Sequence, residues 1–154
     1  MQRRGFLRRF WIAGVAAVVG ALAARRSDAS PPDPEIVQPI SPGPQAFMER
    51  AFAMRELAER GGDQSYGAVV VRDGLIVGEA PSAVVTKRDP TAHAEMEAIR
   101  DAARRLGSRG LARATLYSSS RPCAMCEAAA HWAGIERMIH GAALTDAGGP
   151  KLWR

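Results

Sequence analysis

Only two cysteines occur in the 154 residues, at positions 123 and 126, and Pro122 stands immediately before the first. Cysteines three apart at a helix start share one face, so both can reach the same ion, and the positive helix end favours their thiolates. Upstream, His93-Ala94-Glu95 offers an imidazole as a third ligand and a carboxylate that can move protons. A zinc site with four protein ligands is structural, whereas three leave a position for water, so this count points to hydrolytic chemistry. Two thiolates and a neutral imidazole also cancel the charge of a divalent ion. Taken alone, the Cys-x-x-Cys pair equally fits a disulfide, a redox couple or half of a structural zinc site. A redox pair would have no use for His93 and Glu95.

These residues need elements to carry them. Apolar Phe47, Ala51, Met54, Leu57 and Ala58 recur at three and four, which predicts an amphipathic helix over 45–60 ended by Gly61-Gly62. Residues 66–72 and 75–79 are β-rich runs separated by Asp73-Gly74, a strong hairpin signal. Residues 81–90 read as a loop, and 91–106 as a helix capped by Asp89 or Thr91 and stopped by Gly107. A third strand is expected over 115–119, a third helix over 123–133 after Pro122, and a short fourth strand over 137–141. Strand, helix, strand, helix, strand predicts parallel pairing with helices covering both faces of one sheet. His93 and Glu95 then fall in the first turn of the second helix. Two residues apart on an ideal helix point in nearly opposite directions, but a site lying over the helix end can be reached from both sides.

His-x-Glu followed by Pro-Cys-x-x-Cys is a known signature of zinc deaminases. The stretches Asp89-Pro-Thr-Ala-His-Ala-Glu95 and Thr115-Leu-Tyr-Ser-Ser-Ser-Arg-Pro-Cys-Ala-Met-Cys126 resemble the family uniting guanine, tRNA adenosine and cytidine-type deaminases. Residues 61–71 and 131–137 are more similar to its guanine deaminase branch. The resemblance implies a three-layer α/β/α fold of the cytidine deaminase type, a mixed sheet with an antiparallel first hairpin and parallel later strands. It implies Zn2+ held by His93, Cys123 and Cys126, with Glu95 carrying protons as water replaces an exocyclic amine that leaves as ammonia. Substrate contacts are implied at Tyr66, Ser82 and Ala94, and a homodimer is expected. Three departures stand out: Ser82 matches a position where the family commonly has asparagine, Arg121 stands where glutamate is usual, and little chain follows the fourth strand. A guanine-like base or nucleoside is the favoured substrate. The alternatives are a tRNA adenosine deaminase and a zinc-binding relative without activity.

The net charge of +5 invites a nucleic-acid reading until its location is considered. Residues 1–29 hold Arg3, Arg4, Arg8, Arg9, Arg25 and Arg26 against Asp28, so residues 30–154 are formally neutral and advertise no basic groove. The basic start, the apolar run over 10–24 and the small residues after it have the layout of a signal peptide. Arg3-Arg4-Gly-Phe-Leu-Arg8 resembles a twin-arginine signal, so 1–29 is expected to direct bacterial export to the periplasm or beyond. A misplaced start would instead leave the protein in the cytoplasm. Six prolines mark 30–44 as a linker, with the deaminase-like domain over 45–154. His131 and His140 are expected to be structural or surface residues, Met125 a packing residue, and Trp132 part of the helix and sheet interface. Arg100, Arg104 and Arg105 are expected on a solvated helix face.

Overall fold

The computed structural model describes residues 33–152. The segment expected to be a signal peptide, 1–29, and the start of the expected linker lie outside them. Three helices and five strands follow in the order α1 (Pro44–Arg60), β1 (Gly67–Arg72), β2 (Leu75–Pro81), α2 (Ala94–Arg105), β3 (Ala114–Ser118), α3 (Ala124–Ala133), β4 (Arg137–His140) and β5 (Thr145–Gly148). Among the described residues no helix is long and apolar enough to cross a membrane.

The Asp73-Gly74 hairpin forms as its residues require, with φ of 53° and 78° at the two turn positions. β1 pairs antiparallel with β2 on one side and with β3 on the other, and β3 pairs parallel with β4. The sheet order is therefore β2-β1-β3-β4-β5. β2 and β3 run the same way but are not neighbours, because β1 lies between them; among the described residues, consecutive parallel pairing holds only for β3 and β4. β5 is an addition to the expected four strands, antiparallel to β4. Its Thr-Asp-Ala-Gly sequence has neither alternation nor β-branched density, so pairing with β4 overrides a weak local preference. The turn that returns it closes through Leu144 N–H to the Gly141 carbonyl, 3.0 Å.

β1 is buried from Gly67 to Val71, and its alternation serves two cores. Ala68 and Val70 join Leu116 and the alanines of α2 and α3, whereas Val69 and Val71 join Ile76, Tyr117 and the α1 residues Phe47, Met48, Ala51 and Met54. The three-layer arrangement is thus built from one strand facing both ways. Leu57, expected on the buried face of α1, is 44% exposed, and Met48 fills the core instead.

α2 approaches the sheet closely because Ala94, Ala98 and Ala102 repeat every four residues along its inner face. Gly78 on β2 completes that approach: a Cβ there would lie 2.5 Å from Ala102 N and 2.6 Å from the Ala98 carbonyl oxygen. Gly78→Ala is therefore expected to destabilise the fold by about 1–3 kcal/mol through overpacking, measured as a lower urea midpoint with unchanged slope.

Residues 33–43 carry no regular element, as their prolines dictate, yet they are packed on the domain. Ile36 is buried, and the Gln38 side chain donates to the Ile76 carbonyl at 2.8 Å while accepting from the Ile76 N–H at 2.9 Å. One amide side chain thereby covers part of the exposed edge of β2. The arginines of α2 are tied down more than a solvated face requires: Arg104 pairs with Asp33 and Asp101, and Arg105 with Asp101 at 2.8 Å. Asp101 is buried and also accepts the Glu79 N–H at 3.1 Å.

Candidate metal centre and active site

The C-terminal ends of β2 and β3, the start of β1 and the N-termini of α2 and α3 meet at one end of the sheet. His93 is the residue before α2, with extended backbone (φ −62°, ψ 152°), and Cys123 holds the same position before α3 (φ −78°, ψ 169°). That extended conformation resolves the spacing problem in His-x-Glu. His93 is not yet on the helix, so its ring and the Glu95 carboxylate can serve one site. Asp89 does not cap the helix but closes the turn before it, accepting the Thr91 N–H at 2.8 Å and hydroxyl at 2.7 Å.

His93, Cys123 and Cys126 converge as a three-donor cluster. The Nδ1 of His93 lies 3.7 Å from Cys123 Sγ and 3.6 Å from Cys126 Sγ, and the sulfurs are 3.6 Å apart. Tetrahedral zinc, with bonds of about 2.3 Å to sulfur and about 2.0–2.1 Å to nitrogen, requires edges of about 3.8 Å between sulfurs and about 3.5–3.6 Å between sulfur and nitrogen. The three edges fit one ion. The sulfurs are free thiols rather than a disulfide. Burial above all, then the charge of Glu95 and the adjacent Cys123, pushes the Cys126 thiol up, so a thiolate there calls for a cation.

Glu95 is 4% exposed, and its carboxylate has no basic side-chain partner among the described residues. One oxygen, Oε1, accepts the Ser118 hydroxyl at 2.8 Å; the other, Oε2, lies 3.5 Å from Cys126 Sγ. A buried carboxylate without a neutralising arginine or lysine is costly unless the site beside it supplies the compensation. A divalent ion held by His93, Cys123 and Cys126 would supply part of it.

Ser118, fully buried, is the functional residue that motif reading passed over. Strand parity contains the signal: Ser118 is two residues beyond Leu116, so it faces the α2 side where Glu95 sits. Ser118→Ala removes one hydrogen bond to a charged group and is expected to lower kcat about tenfold with little change in KM, read from steady-state kinetics. Ser119 works differently: its N–H donates to the Gly67 carbonyl at 2.9 Å and its hydroxyl accepts the Gly67 N–H at 3.1 Å. That clasp fastens the start of β1 to the end of β3 at the edge of the site.

A cavity of about 790 Å3 opens over the cluster, lined among others by Arg55, Gln64, Tyr66, His93, Glu95 and Arg121. Tyr66, for which a substrate contact was expected, is 44% exposed and lines that cavity. Ser82 is buried, does not line the cavity, and gives its hydroxyl to Asp63 at 3.0 Å. Asp63 also accepts the N–H groups of Val85 at 3.0 Å and Thr86 at 2.8 Å, so it binds the 82–86 loop to the segment that carries Tyr66. Although desolvation raises its pKa, the donors at Thr86, Gln64 and Ser82 win and hold it well below the usual carboxylate range. Ala94 packs its methyl in the α2 core and is likewise absent from the cavity wall.

Trp132 corrects its expectation. It is 76% exposed on α3, with His131 edge-on at 5.5 Å, rather than buried against the sheet. Alanines 130 and 133 fill the interface there. His131 Nδ1 lies 3.4 Å from the Pro150 carbonyl oxygen, a surface contact, and Met125 is half-buried.

Residues 43–142 match the family model for the cytidine and deoxycytidylate deaminase zinc-binding region. A guanine deaminase of Bacillus subtilis is 41% identical over 104 residues, 67% of each chain, and a tRNA-specific adenosine deaminase of Aquifex aeolicus is 38% identical over 65% of this chain and 66% of that one. The X-ray structure of the Bacillus subtilis guanine deaminase superposes with a TM-score of 0.60 at 40% identity, covering 62% of each chain. Together with the three donors at zinc-like spacing, these matches place the chain in the cytidine and deoxycytidylate deaminase zinc-binding family.

Proposed function

We propose that the protein is a zinc-dependent hydrolytic deaminase of a small base or nucleoside, with a guanine-like purine favoured. The observation that carries this reading is a buried carboxylate, without a basic partner, overlooking three donors spaced for one tetrahedral ion. When bound, zinc supplies Lewis acidity that brings the pKa of a water to near neutrality. The chain's own residues do the rest. Ser118 fixes Oε1 of Glu95, which leaves Oε2 on the metal side to receive a proton from the attacking water. Glu95 passes that proton to the ring nitrogen and carries the second to the amine. A carbon–oxygen bond forms, the carbon–nitrogen bond breaks, and ammonia leaves, so atoms balance without a redox partner. Tyr66 offers a flat face at the cavity wall on which a heterocycle can stack.

The similarity to a tRNA-specific adenosine deaminase motivates a second reading, adenosine to inosine conversion in tRNA. Against it stands the formal neutrality of residues 30–154, since RNA binding draws on phosphate neutralisation. A zinc-binding protein without activity is the third reading. Ammonia release by zinc-loaded protein from a panel of bases, nucleosides and an anticodon stem-loop separates the three. Release from guanine or its nucleoside supports the first, release from the RNA alone the second, and none across the panel the third.

Two further assignments belong to the same reading. We place a second copy of the chain against the exposed Trp132; light scattering is expected to report a dimer, and Trp132→Glu a monomer that remains folded. Residues 1–29 are assigned to twin-arginine export, tested by fusing residues 1–44 to a folded reporter. Retention inside cells with an intact pathway would remove that assignment.

A further inference from the structure

Arg121 stands apart among the charged residues of the cavity. It is exposed, lines the wall with His93, Glu95 and Cys123, and among the described residues no carboxylate takes its guanidinium. Arg55, the other arginine on that wall, is already engaged: its Nε lies 3.1 Å from Glu59 Oε1 and 2.8 Å from Ser65 Oγ. Glu95 is turned inward to Ser118 and Cys126. The guanidinium of Arg121 thus stands at the cavity wall with no carboxylate in contact among the described residues. The backbone of Arg121 is restricted, because Pro122 follows directly, while the long side chain remains free to reach a ligand. The cavity, about 790 Å3, lies in the upper part of the range of about 300–1,000 Å3 that holds drug-sized ligands.

We propose that the substrate carries an anionic group beyond the reacting ring and that Arg121 receives it. The shared chemistry is an oxyanion on an amino-heterocycle, either the phosphate of a mononucleotide or a carboxylate borne by the ring. A planar guanidinium grips either one in a forked pair of charge-assisted hydrogen bonds. This inference rests on the deaminase reading and narrows its substrate. Arg121 acts here as a specificity residue, with no part in proton transfer.

The test compares neutral and anionic partners by calorimetry on zinc-loaded Glu95→Gln protein, which binds without turnover. The pairs are guanosine with guanosine 5′-monophosphate, and pterin with pterin-6-carboxylate. Within at least one pair the anionic member is expected to bind about tenfold tighter, and the advantage to shrink with added salt. A preference confined to one pair identifies phosphate or carboxylate as the source. Adding Arg121→Ala is expected to erase the preference and Arg121→Glu to invert it. Equal affinities in both pairs, a preference that survives Arg121→Ala, or tight binding of an RNA oligonucleotide alone overturns the proposal. Ammonia release by wild type judges the deaminase reading separately. An anion preference without ammonia keeps the role of Arg121 and removes the deaminase; ammonia without a preference does the reverse.

Discussion

Glu95→Gln is expected to leave the protein folded and metal-loaded while reducing ammonia release by about a hundredfold to ten-thousandfold, the range that positioned proton transfer supplies. Glutamine has nearly the same volume and can still accept the Ser118 hydroxyl through its carbonyl oxygen, so the 2.8 Å contact survives. What it cannot do is take and return a proton. The side chain is 4% exposed, so no bulk buffer base can readily stand in for it. Metal content by elemental analysis and kcat on the same preparation give the decisive pair of numbers. Full metal with near wild-type turnover would show that Glu95 is not the proton carrier. The same substitution is also expected to change stability little, because the desolvation cost of the buried carboxylate is removed together with any attraction that a bound cation gives it.

The second large effect concerns the metal ligands. Cys126 is fully buried and shares the cluster with the half-buried His93 and the exposed Cys123. Cys126→Ser replaces a soft donor with a hydroxyl that binds zinc poorly, and stoichiometric metal is expected to fall to a small fraction of wild type. Chelation of wild type is expected to abolish activity, lower Tm, and be reversed by added zinc, because metal bound only by the folded state adds its binding energy to folding. Uptake is expected to weaken as pH falls. The metal-free thiols carry protons that binding must displace, and burial holds the Cys126 proton especially firmly. The drop in Tm distinguishes this experiment from Glu95→Gln, where activity falls and the metal stays. Unchanged Tm and metal content in Cys126→Ser would remove the three-donor assignment.

The sequence by itself determined which residues could hold a metal. His93, Cys123 and Cys126 had to lie at helix entrances, because Pro122 starts one helix and the alanine-rich run after Ala92 supplies the other. The hairpin was equally legible, since Asp73-Gly74 accepts the positive φ values that its turn demands. Local signals of this kind depend on a few neighbouring residues, and those survive folding unchanged. Tertiary structure decided what depends on partners distant in the chain. Inserting β1 between β2 and β3 follows from β1 having two apolar faces to bury, which a strand-by-strand reading does not reveal. β5 exists because β4 offers an edge, not because Thr-Asp-Ala-Gly prefers to be a strand. Trp132 points outward because alanines already close the space between α3 and the sheet. Ser118 meets Glu95 only once β3 and α2 have packed, and Ser82 turns to Asp63 only once the two loops have met. Residue types and spacing carried the metal site; the hydrogen bonds that aim its carboxylate and shape its cavity arise from long-range packing.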